Sequence, residues 1–209
     1  MKTSILVYST AALLLVTVNL CAEESGTNPV HRSCCIPTDA PAKPLKDKSL
    51  YQLNSSWTND DGKTIQLSSL RGRPQVVAMF FASCQLTCPL TVVQLKQLEA
   101  ALPPKIRARV GFTLVSFDSV HDTPAALKNY RTQHTLSPGN WTILSGSPDN
   151  VLDLAAVLGV KFKQDAQGQF SHSNLITLLN SEGEIIRQFA GLNPDNQQLV
   201  AEIEKLIAH

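Results

Sequence analysis

The chain has 209 residues, 43% hydrophobic and 17% charged, with 18 Lys and Arg against 17 Asp and Glu and five cysteines. A formal charge of +1 with no basic block argues against a protein that binds nucleic acid by neutralising phosphates. The apolar fraction is too high for a disordered chain, no second long apolar run exists for a multi-span membrane protein, and the length suits one domain with appendages.

Lys2 precedes an apolar run from Ile5 to Leu20, and Leu20-Cys21-Ala22 leads into Glu23-Glu24. This layout over residues 1–22 predicts a secretory signal cut after Ala22, with an uncleaved anchor as the alternative. The run of 16 residues is slightly shorter than the about 17–25 that a membrane span needs. Lipid modification of Cys21 fits poorly with the bulky Leu20 before it. Cleavage removes Lys2 and Cys21, which leaves four cysteines in an oxidising compartment. Residues 23–48 carry Pro29, Pro37, Pro41 and Pro44 among polar residues without an apolar period, and predict a flexible arm. That arm holds His31, Cys34 and Cys35. The vicinal pair has four readings: a bridge between the two, a second metal site with His31, a pair that resolves a Cys84–Cys88 disulfide, or oxidised passengers.

From residue 49 to 209 the texture is that of a folded domain. Asp60-Asp61-Gly62 between Tyr51–Trp57 and Thr64–Leu67 predicts a hairpin. Gln75–Phe81 is a continuous apolar run, the pattern of a strand buried on both faces. Val110–Phe117 and Trp141–Leu144 predict two more strands, and Asn174–Leu179 with Glu184–Phe189 a second hairpin turned at Ser181-Glu182-Gly183. Thr123-Pro124, Ser147-Pro148 and Asn193-Pro194 each place a capping side chain before a proline suited to a first helical turn, and Gly159 marks a helix end. Buried strands joined by helical crossovers, with antiparallel hairpins at the ends, predict a mixed-sheet α/β domain.

The same start signal at Cys88-Pro89 predicts a helix through Ala101 with Val92, Leu95, Leu98 and Leu102 facing inward. Cys88 is then expected at the N-cap, where free backbone N–H groups and the helix dipole favour a thiolate. Cys84 falls in the loop leaving the buried strand, at the strand end where α/β sheets place their sites. Two soft thiolates with an imidazole suit Cu(I) or Zn(II) far better than Mg or Ca. His172, before the late apolar strand, is the candidate third ligand, and an open fourth position suits a carrier that must release its metal. His121 is expected to be exposed or capping, and His134 to meet a helix C-terminus.

Phe80-Phe81-Ala82-Ser83-Cys84-Gln85-Leu86-Thr87-Cys88-Pro89 resembles the strand and CxxxCP motif of the Sco/SenC copper-chaperone family. Val115-Ser116-Phe117-Asp118 with Asp122-Thr123-Pro124 resembles its DxxxDTP segment. Leu67–Pro74 resembles its entry to the first central strand, and His172 falls at its metal-binding histidine. The likeness covers residues 49–209. It implies a thioredoxin-like mixed sheet flanked by helices with an added N-terminal hairpin. It also implies copper, as Cu(I) or Cu(II), held by Cys84, Cys88 and His172 in an exported, often membrane-tethered protein. The implied partners are an apo copper-acceptor such as a terminal (cytochrome c) oxidase subunit and a thiol reductant; no nucleic acid is expected, and the chain is expected to act as a monomer. Gln85-Leu86-Thr87 lacks the acidic residue often found inside the motif. Asp118 and Asp122 have two readings, a pair behind the site or partner-facing, and a turn before the Thr123 cap. The rival to the carrier is an enzyme, a thiol-disulfide oxidoreductase in which one of Cys84 and Cys88 attacks and the other resolves.

Overall fold

The computed structural model describes residues 47–166, 170–192 and 195–208. The export segment expected over residues 1–22, with Cys21, and residues 23–46 of the expected arm, with His31, Cys34 and Cys35, lie outside the described residues, as does the Asn193-Pro194 start signal. Among the described residues, no helix is long and apolar enough to cross a membrane.

Strands β1 (Ser56–Asn59) and β2 (Thr64–Gln66) form the first hairpin. Its turn closes through Gly62 at φ 77°, with the Asn59 side-chain oxygen accepting from the N–H groups of Asp61 and Lys63. Strands β3 (Gln75–Phe80) and β4 (Gly111–Ser116) are buried at every residue, which is why they read as unbroken apolar runs. With β5 (Trp141–Gly146) they form the parallel centre of the sheet. Helix α1 (Thr87–Ala101) and the short α2 (Pro104–Arg107) link β3 to β4, α3 (Pro124–His134) links β4 to β5, and α4 (Pro148–Leu158) follows β5.

A two-stranded ribbon comes next, β6 (Phe162–Gln164) with β7 (Phe170–His172). The second hairpin, β8 (Leu175–Leu179) with β9 (Ile185–Ala190), adds antiparallel to β3, and α5 (Asn196–Ala208) closes the chain. The main sheet runs β2-β1-β5-β4-β3-β8-β9. It is a mixed sheet flanked by helices, with antiparallel hairpins at both edges around the parallel centre.

The start signals at Thr123-Pro124 and Ser147-Pro148 and the stop at Gly159 operate as expected. Thr123 Oγ1 accepts from Ala126 N–H and Ser147 Oγ from Asn150 N–H, while Gly159 at φ 69° ends α4 with its N–H on Ala156 C=O. For α5 the cap among the described residues is Asp195, whose side chain accepts from Gln197 and Gln198 N–H. Val92, Leu95, Leu98 and Leu102 are all buried on the inner side of α1, as their spacing predicts.

Not predicted were α2, the β6–β7 ribbon and two 3-10 turns, Leu50–Gln52 and Leu67–Leu70. The ribbon strands are three residues long and half exposed, so no apolar run announces them. The only sequence signal is an alternation, apolar at Phe162 and Phe170 with polar neighbours.

Candidate metal centre

The site forms where β3 leaves the middle of the sheet. The chain turns through Ser83–Thr87, with Cys84 N–H donating to Phe81 C=O at 3.2 Å, and enters α1. The helix starts at Thr87, so Cys88 is inside its first turn and Leu86 holds the cap position without a side-chain bond. This corrects the expectation that Cys88 caps the helix. Proline is accommodated throughout a first turn, because those N–H groups have no helical partner, so Pro89 marks the turn and not its first residue. The capping acceptor is Cys84, whose Sγ receives the N–H of Cys88 at 3.4 Å.

The two thiols are both free and they differ. Cys84 is partly exposed; burial raises its pKa, but hydrogen bonds from the Cys88 and Leu86 backbone outweigh this and hold it below the ordinary thiol value. Cys88 is 1% exposed. Burial first, and neighbouring Cys84 as well, push its thiol up to about 12 despite a hydrogen bond from the Phe81 backbone. The thiolate-favouring position expected for Cys88 therefore belongs to Cys84.

His172 ends β7 and reaches this pair from the ribbon. Its Nε2 is 3.6 Å from Cys88 Sγ and 3.4 Å from Thr87 Oγ1, and Thr87 Oγ1 is in turn 3.8 Å from Cys84 Sγ. Nδ1 is 3.2 Å from Ser173 C=O, an acceptor, which assigns the ring proton to Nδ1 and leaves the Nε2 lone pair facing the thiols. The ring packs at 5.0 Å from the Phe117 ring and edge-on to Phe81. Two sulfurs and one imidazole nitrogen make a soft donor set suited to copper or zinc. Among the described residues no three such groups stand in a preformed coordination shell. The Thr87 hydroxyl stands between Cys84 and His172, so metal uptake requires it to give way as the donors close to bonding distances of about 2.0–2.3 Å.

An open cleft of about 730 Å³ adjoins the donors, with Ser83–Thr87 on one side, Phe170–His172 on the other and Phe81 between. Behind it, buried Asp122 accepts from Ala82 N–H at 2.9 Å and from Ser116 Oγ, tying the start of the cysteine loop to the end of β4. Burial raises the Asp122 pKa against the effect of those two bonds. Asp118, also buried, accepts from the N–H groups of Val120 and His121 and from His121 Nδ1 at 2.8 Å. The two aspartates thus organise loops behind the site and do not point a free carboxylate into it. The His121 ring is 71% exposed and serves that turn.

Thr87 and the Thr91–Asn174 pair were not singled out from the sequence. Thr91 Oγ1 lies 3.0 Å from Asn174 Oδ1, which ties the first turns of α1 to the entry of β8 two residues beyond His172. Hydroxyl residues inside a CxxxC turn carry no signal of their own.

The SCO1/SenC family model matches residues 45–208. The chain belongs to the SCO1/SenC family. It is 23% identical over 167 residues to the SCO1 protein homolog of Bacillus subtilis, covering 77% of this chain and 85% of that one. Among solved structures it is similar to a SCO1/SenC family lipoprotein from Bacillus anthracis, with a TM-score of 0.68, 23% identity, and 78% and 99% of the two chains covered. It is also similar to Bradyrhizobium japonicum ScoI with copper bound, with a TM-score of 0.63, 24% identity, and 73% and 96% covered. The thioredoxin-like fold expected from the motif resemblance is the fold of these Sco structures.

Proposed function

We propose that the protein is an exported copper carrier that holds copper through Cys84, Cys88 and His172 and passes it to an apo-protein, as the family resemblance implies for the dinuclear copper centre of a terminal oxidase. The observation that carries this reading is the approach of His172 Nε2 to within 3.6 Å of Cys88 Sγ, across 84 residues of sequence, with Nδ1 turned to Ser173 C=O at 3.2 Å. The copper-bound ScoI relative supports copper as the cargo, and the lipoprotein relative supports an extracytoplasmic place beside a membrane. The apolar segment over residues 1–22 supplies the export signal or anchor.

The division of labour follows from the two cysteines. Cys84 Sγ, at the cleft rim, is the donor a partner can reach. Cys88 and His172 form the inner pair, backed by Phe81 and Phe117. The cysteine loop with the first turn of α1 on one side and the short ribbon on the other present the donors, so release requires only that they separate by a small distance.

The second reading is the thiol-disulfide oxidoreductase, favoured by the exposed, acidified Cys84. Its thiolate would attack an acceptor disulfide to give a mixed disulfide. Cys88 would then attack Cys84 Sγ, releasing a reduced acceptor and leaving a Cys84–Cys88 disulfide for a thiol reductant to reset. A Cys88 thiol pushed up to about 12 is a poor nucleophile and a poor thiolate donor alike near neutral pH, so it does not divide the two readings; His172 beside it, which only the carrier needs, favours the carrier.

Copper titration of the reduced protein separates the two readings. The carrier requires at least tenfold weaker binding in His172→Ala and in Cys84→Ser. Unchanged affinity in His172→Ala, together with efficient reduction of a test disulfide by both proteins, selects the oxidoreductase.

A further inference from the structure

Strand β7 has one paired edge and one open edge. Among the described residues its only strand partner is β6. Ser173 N–H donates to Lys161 C=O at 2.8 Å, so Phe162–His172 is a widely spaced antiparallel pair, Lys163–Ser171 a closely spaced one, and Gln164–Phe170 wide again. The backbone N–H and C=O groups of Phe170 and His172 therefore point away from β6, while those of Ser171 point toward it. The open edge borders the cleft, opposite Ser83–Thr87.

Sheet edges left to solvent are ordinarily protected by lysine, proline or a bulge. The β6 side of the ribbon has that protection, with exposed Lys161 and Lys163. The β7 side reads Phe170-Ser171-His172 and has none, although it lies directly beside the donor set. Neither cleft wall carries a Lys, Arg, Asp or Glu side chain.

We propose that the open edge of β7 takes up an extended, uncharged segment of the acceptor protein as an added strand, which brings a Cys, His or Met side chain of that segment beside Cys84. Main-chain hydrogen bonds to Phe170 and His172 supply the docking, and alternate side chains of the segment enter the cleft. Charged side chains there would meet no Lys, Arg, Asp or Glu counter-charge, so the segment is uncharged. The entering donor must match the softness of the ligands it displaces. In the exchange, one bond forms between copper and the entering donor as one bond to this chain's donors breaks. Copper keeps its oxidation state, and an entering thiol loses its proton to solvent. The nature of the entering side chain rests on the carrier reading; the strand addition does not.

The test uses the full chain, reduced and metal-free, with capped seven-residue peptides of alternating Val and Thr around a central Cys. Three companions are needed: one with Ser in place of Cys, and two N-methylated at alternate amides in the two opposite registers. Nuclear magnetic resonance follows peptide affinity and the hydrogen exchange of single backbone amides. The expected result is slowed exchange at the Phe170 and His172 amides with both the Cys and Ser peptides. N-methylation in one register should weaken binding about tenfold or more, and in the other leave it within about twofold. Equal binding of both methylated peptides, no slowing at either amide, or no binding of the Ser peptide would each overturn the proposal, the last because the contact would then be sulfur chemistry alone. A chain that docks peptides but fails the copper titration loses the carrier reading and keeps this one; the reverse outcome loses only this one.

Discussion

Cys84 and Cys88 sit one helical turn apart and face opposite environments. Cys84 Sγ receives backbone N–H groups at the cleft rim, whereas Cys88 is 1% exposed and its thiol is pushed up to about 12. Alkylation of the reduced, metal-free protein with iodoacetamide near neutral pH should therefore mark Cys84 first, and Cys88 at a comparable rate only after unfolding. Peptide mass spectrometry reads the order; equal labelling in the folded protein would contradict the assignment. The sequence reading singled out Cys84, Cys88 and His172, which the fold brings side by side, but gave the thiolate-favouring position to Cys88, the member that the fold buries. The Cys-Pro signal locates a first turn to within a residue or two, and that uncertainty spans the difference between capping a helix and lying inside it. Thr87, held between Cys84 and His172, was invisible because only the fold brings residues 87 and 172 together.

At the scale of elements, α3 is fastened at two points. Arg131 pairs with buried Asp60 from the first hairpin turn and also donates to Leu136 and Trp141 C=O at 3.2 and 3.1 Å. The sequence presents Asp60 as a turn residue, yet its carboxylate is an interior counter-ion. Removing it strands a buried guanidinium, so Asp60→Ala should cost about 3–5 kcal/mol in urea unfolding with little change of slope.

At the end of α3 the last carbonyl is met by Lys96 Nζ at 2.8 Å, and the His134 ring packs tilted against Tyr130 with centroids 4.3 Å apart. Burial, with Lys96 adding to it, lowers the His134 pKa, so its imidazole is not the cation at this terminus. A depressed folded value means that this residue's contribution is present above the ordinary imidazole pKa and is lost as pH falls through the folded one. The urea midpoint of the parent chain should thus drop more between about pH 7.5 and 5 than that of His134→Gln. Parallel profiles would remove His134 as the source.

Across the whole molecule, stability is distributed unevenly. Strands β3 and β4 are paired on both sides and wholly buried, whereas the ribbon that carries His172 is two strands of three residues held to the rest through Phe162, Phe170 and His172. Native-state hydrogen exchange should be slowest in β3 and β4 and fastest in β6 and β7. Copper loading should slow exchange in the ribbon selectively, and a chelator should restore it. Uniform slowing across the domain would show that copper does not act through His172.

The amino-acid sequence by itself determined the central strands, the hairpins at both ends, two of the helix starts, the first turn of a third and the spacing of the cysteine pair. Each rests on local physics: apolar runs, turn residues, caps, and a chemically distinctive motif. Only the tertiary structure decided which thiol is exposed, that Asp122 braces the cysteine loop through Ala82, that Asp60 is an interior partner of Arg131, and that His172 arrives on an unprotected ribbon edge. Those properties depend on burial and on contacts between residues 40 to 85 positions apart, and no local pattern encodes them.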